Sequence, residues 1–427
     1  MSDSLLIKGA AILGGAPMDI LISNGKIVEI SQEISSENLE TVDAHGKVAL
    51  PGFVDLHTHL REPGRENSET IATGSLAAAR GGYVAVSAMA NTSPVADSAA
   101  IVEQVASIGS AVGLVEVFPI GAVTKGLEGK ELSDLGSMAQ SKAGVRVFSD
   151  DGSCVSDPLL MRRALEYVKQ FDGVIAQHAQ DPRLTEGAQM NEGAIASALG
   201  LKGWPAVAEE SIIARDILLA NTVGARLHIC HVTTAGGVDI IRWAKAQGLK
   251  VTAEVTPHHL LLTDDCANTY DPIYKVNPPL RTQSDVLALR EGLIDGTIDI
   301  VATDHAPHPV ESKECEWQSA AFGMVGLETA FSILYSTVIK DGSLSWERAA
   351  QVMSSAPAQI GRYSGYGRAI AVGEPAHIAI VDPAGTWKVD RAELASKSKN
   401  TPFHGMNFEG TVVATIYKGR ITHKVGN

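Results

Sequence analysis

The sequence predicts an α/β protein: a parallel (β/α)8, TIM-like barrel with a small β-domain built from both termini. Three observations predict this fold. Eight short, β-rich apolar runs alternate with Ala- and Leu-rich stretches of helical character through the middle of the chain. Both ends instead carry short apolar runs separated by turn residues. The length of 427 residues is enough for a barrel and a second, smaller unit.

The predicted barrel strands follow one another at regular intervals, with longer helical stretches between most of them. The strands are predicted at residues 53–57, 83–88, 114–120, 145–149, 174–178, 226–232, 250–256 and 298–303. The helices are predicted at residues 68–80, 98–108, 158–170, 209–222, 237–247 and 283–295.

The two ends of the chain have the pattern of β-hairpins. An Asn24-Gly25 pair stands between apolar runs at 20–22 and 27–28, and Asn-Gly favours a tight hairpin turn. In the tail, runs at 376–381 and 411–417 precede Lys418-Gly419 and a last run at 420–422. We therefore expect residues 1–50 and 366–427 to form one composite β-domain around a barrel at 51–365. Independent hairpins at each end are the alternative.

Composition excludes several classes of protein. Hydrophobic residues make up 45% of the chain and charged residues 20%, an ordinary globular balance. A formal charge of -14 disfavours nucleic acid and anionic membranes as partners, because phosphates need a basic surface. There is no signal-peptide pattern and no apolar run near the ~20 residues that span a bilayer. The cysteines are scattered without a C-x-x-C, which favours reduced thiols in the cytoplasm: Cys154, Cys230, Cys266 and Cys315.

Histidine and aspartate stand where five of the predicted strands end. His57 and His59 end the first strand and share a face, because side chains alternate along a strand. The others are Asp150 and Asp151 after the fourth strand, His178 after the fifth, His231 after the sixth and Asp304 after the eighth. Chemistry in such barrels lies at the carboxyl ends of the strands, so these residues should converge. Four histidines and two carboxylates suit one or two Zn²⁺ ions with positions left open for water.

Seven short segments, taken together, indicate a family more specifically than the histidine and aspartate pattern alone. They are 51–64 (Pro-Gly-Phe-Val-Asp-Leu-His-Thr-His-Leu-Arg-Glu-Pro-Gly), Asn91-Thr92, 148–152, 228–232, 275–281, 302–308 and 322–328. In combination they resemble the amidohydrolase superfamily and, within it, the bacterial dihydroorotases whose metal centre lacks a carboxylated lysine. Two departures are visible: Ala90 replaces a usual proline, and Gln180 stands where an acid is common. We expect neither departure to touch a metal ligand.

The resemblance implies an enzyme of pyrimidine (UMP) biosynthesis that interconverts N-carbamoyl-L-aspartate and L-dihydroorotate. It implies metal ligation by His57, His59, Asp151, His178, His231 and Asp304. Asp304 would also shuttle the catalytic proton. The implied substrate-binding residues are Arg61, Asn91, Asn277, His308, Phe322 and Gly323. The charged stretch 309–321 would be either a lid over the mouth or a solvated loop.

The carboxylate that would join two metal ions is predicted to be Asp151. Relatives that use a carboxylated lysine carry it on the fourth strand, and the equivalent neighbourhood here contains Arg146, which cannot accept CO₂ as a carbamate. Asp150 remains the alternative, because alternation lets only one of the two aspartates face the mouth. A single ion held by His57, His59 and Asp151 is the other arrangement left open.

Two other functions fit the same fold. Hydantoinases and allantoinases are cyclic-amide hydrolases that usually carry the lysine and lack the Asp150-Asp151 pair. Some dihydroorotase relatives have lost metal ligands and serve as non-catalytic partners of aspartate transcarbamoylase, whereas every proposed ligand is present here. The resemblance leaves open a homodimer and an association with aspartate transcarbamoylase.

Overall fold

The computed structural model describes residues 4–35 and 39–426; residues 1–3, which begin the predicted N-terminal segment, lie outside the described residues. The strands are β1 Ser4–Ile12, β2 Pro17–Ser23, β3 Lys26–Ser31, β4 Glu40–Asp43, β5 Val48–Pro51, β6 Phe53–Thr58, β7 Tyr83–Ala88, β8 Glu116–Pro119, β9 Val147–Phe148, β10 Val174–Gln177, β11 Met190–Asn191, β12 Gly203–Trp204, β13 Arg226–Ile229, β14 Val251–Val255, β15 Ile300–Val301, β16 Ile378–Lys388, β17 Asn407–Tyr417 and β18 Arg420–Lys424. The α-helices are α1 Ile71–Arg80, α2 Ala99–Val112, α3 Leu135–Gln140, α4 Pro158–Val168, α5 Ala194–Leu199, α6 Val207–Val223, α7 Ala235–Ala246, α8 Pro257–Leu261, α9 Gln283–Asp295, α10 Val310–Lys313, α11 Ala330–Leu334, α12 Trp346–Ala350 and α13 Ala356–Gly361.

The middle of the chain is α/β, as predicted, and each of the eight predicted apolar runs contains a strand. Strands β6, β7 and β8 form one parallel sheet, and β9, β10, β13, β14 and β15 form another. Isolated parallel bridges link Gly121 to Phe148 and Thr58 to His305, between the ends of these two sheets. Several strands are shorter than their apolar runs, and β9 and β15 span two residues each.

Local sequence explains why these elements form. Every residue of β6, β7 and β10 is buried, as expected for parallel strands covered on both faces. Several helices begin at polar caps: Thr70 and Thr282 each complete a capping box, and Asp157 accepts from the Leu160 N–H ahead of Pro158. These caps satisfy backbone N–H groups in the first turns of α1, α4 and α9.

Asp55 ties the first strand of the middle region to the last. Its carboxylate accepts from the Thr303 hydroxyl at 2.6 Å, from the Thr303 N–H at 3.1 Å and from the His57 N–H at 3.0 Å. Burial raises the pKa of Asp55 to about 7, although the bonds from Thr303 and His57 oppose that rise. This contact sets the end of β6 beside the residues that follow β15.

Strands from both ends of the chain share one mixed sheet. Its order is β18-β17-β16-β5-β1-β2-β3, with β4 paired to β1. The β2–β3 hairpin turns at Asn24 and Gly25, both with positive φ, and β5 pairs antiparallel with β16, so the two ends do not form independent hairpins. Apolar side chains such as Ile20, Ile378 and Ile416 form the core of this sheet.

All four cysteines are free thiols. Within the described residues, no helix combines the length and apolar character that crossing a membrane requires.

Candidate metal centre

Six of the residues predicted at strand ends meet in one buried cluster. The first set, here the His57 group, comprises His57, His59, Asp151 and Asp304. The second set, here the His178 group, comprises Asp151, His178 and His231. Within each group the ligand atoms lie within 4.8 Å of one another, and every member is buried. They come from the ends of β6, β9, β10, β13 and β15, so the structure brings together all six predicted ligand residues.

Asp151 belongs to both groups because its two carboxylate oxygens face in different directions. Oδ2 lies 3.4 Å from His57 Nε2 and 3.3 Å from His59 Nε2. Oδ1 lies 3.3 Å from His178 Nδ1 and 3.1 Å from His231 Nε2. A carboxylate placed in this way can join two cations.

Asp150 points away from this cluster. Its Oδ1 accepts from the Val123 N–H at 2.7 Å and the Thr124 N–H at 3.0 Å, and its other oxygen accepts from the Thr124 hydroxyl. Asp150 therefore closes the loop after β8. Arg146 also lies elsewhere, donating to the carbonyls that include those of Ala139 and Gly144.

Asp304 lies against the two histidines of β6. Its Oδ1 is 3.0 Å from His59 Nε2 and 3.4 Å from His57 Nε2. Asp304, His231 and Arg61 all have positive φ, at 45°, 31° and 63°, a conformation that costs about 1–3 kcal/mol for residues other than glycine. Such local strain at three neighbouring site residues indicates that their side-chain directions are fixed by the surrounding structure.

The electrostatics of the cluster favour a bound cation. Burial by itself would raise the pKa of Asp151, but His57, His178 and His231 hold that pKa well below its usual range. Burial by itself would lower the pKa of His57, but Asp151, Glu254 and Asp304 hold it well above its usual range. The Asp151 carboxylate is thus ionised, and the field around His57 favours positive charge, so a divalent cation would satisfy the same field.

The atoms present also fit a divalent metal ion. His57 is fully buried, and among the described residues its Nε2 has no hydrogen-bond partner. Its Nδ1 is 2.6 Å from a Glu254 oxygen, so the neutral ring that binds a metal would keep its proton on Nδ1 and direct the Nε2 lone pair toward the carboxylates. Imidazole nitrogens with carboxylate oxygens are donors that transition-metal cations prefer.

Three residues outside the predicted ligand set orient the histidines. Glu254 Oε1 accepts from His57, Asn91 Oδ1 lies 2.9 Å from His59 Nδ1, and Gln180 Oε1 lies 2.6 Å from His178 Nε2. The prediction that Gln180 touches no ligand was therefore wrong. Glu254 was missed altogether, although one sequence signal marks it: it is a lone acid inside the apolar run of β14, where an unpaired charge would be costly.

Glu254 has a second buried partner behind the cluster. Its Oε2 lies 2.9 Å from His228 Nε2, and His228 Nδ1 lies 2.9 Å from the Thr252 hydroxyl. His228 thus supports Glu254 and does not belong to either group. These contacts fix the direction of both Glu254 oxygens.

Arg61 is a buried cation beside the cluster. Its side chain is 6% exposed, and no carboxylate of residues 4–35 and 39–426 forms an ion pair with it. Nε donates to the Pro307 carbonyl at 3.2 Å, and Nη2 lies 3.4 Å from His308 Nε2. Burial and then Arg65 lower the pKa of Arg61 to about 10, which still leaves the guanidinium charged at neutral pH.

The other predicted substrate residues surround His308 and Gln180. His308 Nε2 donates to the Phe322 carbonyl at 2.8 Å, and burial followed by the charge of Arg61 lowers the pKa of His308 to about 3. Gly323 has φ 138°, and a Cβ there would lie 2.9 Å from His308 Nε2. Asn277 Nδ2 lies 3.4 Å from Gln180 Oε1, and Asn277 Oδ1 is buried without a partner in the described residues.

The charged stretch 309–321 is anchored by a buried lysine. Lys313, on α10, is 3% exposed and donates to the carbonyls of Lys275, Ala321 and Gly323 at 2.9–3.0 Å. Lys275 in turn donates to the Trp317 carbonyl at 2.6 Å. The stretch is therefore not a simple solvated loop, and it connects directly to the backbone at Gly323.

The sequence comparisons agree on one family, and the solved structure that is compared shares the fold. A family model described as "Dihydro-orotase-like" matches residues 46–236. A protein of Leifsonia xyli subsp. xyli named dihydroorotase is 62% identical over 423 residues, which cover 99% of this chain and 97% of the relative. A dihydroorotase of Mycobacterium tuberculosis is 55% identical over 425 residues and 99% of both chains. Among solved structures, the L-hydantoinase of Arthrobacter aurescens has a TM-score of 0.88 at 28% identity, covering 100% of this chain and 97% of that one.

Proposed function

The chain belongs to the dihydroorotase family, and from this premise we propose that it catalyses the reversible cyclisation of N-carbamoyl-L-aspartate to L-dihydroorotate in pyrimidine biosynthesis. The observation that carries the proposal is the buried Arg61, a cation beside the metal-ligand cluster with no carboxylate partner among the described residues. A guanidinium removed from water favours an anionic ligand, and its planar fork suits a carboxylate. Dihydroorotate carries a ring carboxylate, whereas hydantoin and allantoin carry none.

Zinc is the ion we propose, as one or two Zn²⁺ per chain. His57, His59, Asp151 and Asp304 would hold the first, and Asp151, His178 and His231 the second. When bound, the ion would act as a Lewis acid on the amide carbonyl and make water more acidic. A single ion in the His57 group remains the simpler arrangement.

Asp304 is proposed to move the proton between water and the ring nitrogen. His57 and His59 hold the pKa of Asp304 below its usual range against the effect of burial, so Asp304 is ionised and its carboxylate can take up the proton that water loses during attack. In the hydrolytic direction, the water oxygen bonds to the ring carbonyl carbon while Asp304 takes a water proton. The ring C–N bond then breaks, and Asp304 returns the proton to the departing nitrogen. The new carboxylic acid ionises, so cyclisation consumes one proton and is favoured by acid.

The remaining polar groups are proposed to position the substrate. Arg61 would hold the ring carboxylate together with the Asn91 amide NH₂, since Asn91 Oδ1 is engaged by His59. To join them, the neutral His308 would turn its one N–H from the Phe322 carbonyl to the carboxylate. Asn277 Oδ1, buried without a partner in the described residues, is available to accept from a ring N–H. The backbone at Phe322 and Gly323 would line the ring.

The fold that we propose for this function is a closed (β/α)8 barrel at 51–365 with a composite β-domain from 1–50 and 366–427. The isolated bridges at Gly121–Phe148 and Thr58–His305 support closure of the two parallel sheets into one barrel. The pairing of β5 with β16 supports the composite domain. A cytoplasmic location, a homodimer and an association with aspartate transcarbamoylase remain predictions.

The test is direct assay of the purified, zinc-loaded chain without a partner protein. We expect cyclisation of N-carbamoyl-L-aspartate at mildly acid pH and hydrolysis of L-dihydroorotate at alkaline pH. Hydantoin and allantoin, offered at the same concentrations, should be turned over far more slowly. Faster turnover of either neutral ring would contradict the proposal. Bound zinc without turnover of any of these substrates would favour a non-catalytic partner role.

A further inference from the structure

The two halves of the cluster differ in the groups that support their histidines. In the His57 group, His57 donates to a carboxylate oxygen of Glu254 at 2.6 Å. In the His178 group, His178 Nε2 donates to the amide oxygen of Gln180, also at 2.6 Å. The two hydrogen bonds have the same length, but one acceptor is charged and the other is neutral.

The orientation of the Gln180 amide is fixed by a second contact. The Thr185 hydroxyl donates to the Asp181 carbonyl at 2.8 Å, so its oxygen is free to accept from Gln180 Nε2 at 2.7 Å. Gln180 Nε2 therefore points to Thr185, and Oε1 points to His178. With His178 Nε2 as the donor, Nδ1 keeps its lone pair toward Asp151 and His231.

Such a supporting hydrogen bond changes how well an imidazole binds a cation. A carboxylate that accepts the distant ring N–H makes the imidazole more basic and fixes its orientation, and loss of such partners typically weakens metal binding about 10–100-fold. A neutral amide fixes the ring equally well but polarises it less, because hydrogen bonds to charged acceptors are stronger.

The number of metal-donor residues also favours the His57 group. The His57 group offers four donor residues, two of them carboxylates, whereas the His178 group offers three and shares its only carboxylate, Asp151, with the other group. His59, like His178, is supported by a neutral amide oxygen, that of Asn91, so the two groups differ in the charged acceptor behind His57. That acceptor and the donor count both rank the His57 group above the His178 group.

Resting on the proposed function, we propose that Gln180 is a positioning residue that makes the His178 group a weaker, exchangeable metal position. The protein would fill the His57 group first and the His178 group only at higher free metal concentration. A carboxylate at position 180 would remove most of this difference. The Asn277 amide, 3.4 Å from Oε1, can donate to such a carboxylate, and the Thr185 hydroxyl can do so by turning from the Asp181 carbonyl, so the site can accommodate the exchange.

The experiment is titration of the metal-free full chain with Zn²⁺, followed by calorimetry, and with Co²⁺, followed by its visible absorption. Wild type is compared with Gln180→Glu, Gln180→Met and the charge-matched control Gln189→Glu. Gln189 lies further along the same loop, and among the described residues its amide NH₂ donates only to the Gly187 carbonyl. Melting temperatures of the metal-free variants establish that each is folded.

We expect two classes of metal position in wild type. Gln180→Glu should increase the metal affinity of the weaker class about tenfold or more, and Gln180→Met should decrease it. In both variants the metal affinity of the tighter class should stay as in wild type. In Gln189→Glu the affinities of both classes should stay as in wild type. One class of position in wild type, an unchanged weaker class in both Gln180 variants, or the same shift in Gln189→Glu would overturn the proposal. If Gln180→Glu does not fold, Gln180→Met against wild type decides. Because no substrate is present, this outcome is independent of whether the chain turns over dihydroorotate.

Discussion

Glu254 on β14 and His57 on β6 are joined by a 2.6 Å hydrogen bond between two fully buried side chains, 197 residues apart in sequence. β14 contributes no member of either metal group, yet it determines which nitrogen of His57 faces the cluster. The charge of Glu254 also helps to keep the pKa of His57 well above its usual range, against the effect of burial.

Glu254→Gln should lower the affinity for the first metal ion about 10–100-fold, because the amide polarises His57 less than the carboxylate does. Glu209→Gln is the matched control, since Glu209 is also a buried carboxylate but accepts from Thr233 and Thr234. Metal content after dialysis against a graded chelator measures the effect. Equal metal loss in both variants would show that Glu254 contributes only to general stability.

Asp304→Asn should abolish turnover in both directions while the fold and most of the bound metal remain. Asparagine keeps the shape of the side chain but cannot accept and return a proton. Turnover and elemental analysis of the same preparation provide the check. Near-normal turnover with full metal content would exclude Asp304 as the proton carrier.

Arg61→Met should weaken substrate binding by about 2–3 kcal/mol, which is roughly 30- to 150-fold in kcat/KM, because a charge-assisted carboxylate contact is lost. The effect should appear chiefly in KM. Arg65→Met is the control, since Arg65 is exposed and close along the chain. A comparable loss in Arg65→Met would indicate a general electrostatic effect instead of a direct contact.

Asp151→Ala should lose metal from both groups and all activity, whereas the activity of wild type should not depend on added bicarbonate. Asp150→Ala should instead lower the stability of the fold, because the Val123 and Thr124 N–H groups lose their acceptor, at about 1–3 kcal/mol for each buried donor left unpaired. Metal analysis and thermal unfolding of the two variants distinguish these outcomes. The opposite pattern would make Asp150 the joining carboxylate.

The lowered pKa of Lys313 predicts that its contribution to the free energy of unfolding depends on pH. Burial and then Lys275 lower the pKa of Lys313 to about 7, whereas an unfolded lysine titrates near about 10.4. Between these values the unfolded chain binds a proton that the folded chain lacks, so this contribution to the free energy of unfolding increases from about pH 7 to about pH 10. The slope is at most about 1.4 kcal/mol per pH unit.

Lys313→Met lacks that titration, so the difference in melting temperature between wild type and the variant should grow in favour of wild type as pH increases. Melting curves at pH 7, 8 and 9 in one ionic strength test this. A constant difference across the series would contradict the lowered pKa.

The sequence was sufficient to predict the α/β class, the eight apolar strands and the meeting of His57, His178 and Asp304. These follow from strand alternation and from the rule that parallel strands present their carboxyl ends together. Strand lengths were less predictable. β15 ends at Val301, ahead of the predicted end at residue 303, because Thr303 turns its backbone N–H and hydroxyl to Asp55.

The contacts that orient the ligands could not be predicted, because they depend on side-chain directions between distant parts of the chain. Gln180 looked like a harmless departure from the family pattern, yet its amide oxygen holds His178. Lys313 lies in a run of charged residues that is typical of a solvated surface, but three carbonyl groups surround its ammonium. Only the folded backbone places those carbonyls.

The hydrogen bond between Asp55 and Thr303 joins residues that are 248 positions apart in the sequence. The parts of the candidate site therefore leave the ribosome at different times during synthesis. His57 and His59 emerge early in synthesis, whereas Asp304, which completes their metal group, emerges after roughly seven-tenths of the chain. Until then the two histidines lack both the Asp55–Thr303 bond and the carboxylate opposite them. Contacts of such long sequence separation form late because closing a long loop costs entropy. The complete His57 group can therefore form only late in synthesis, after Asp304 has emerged.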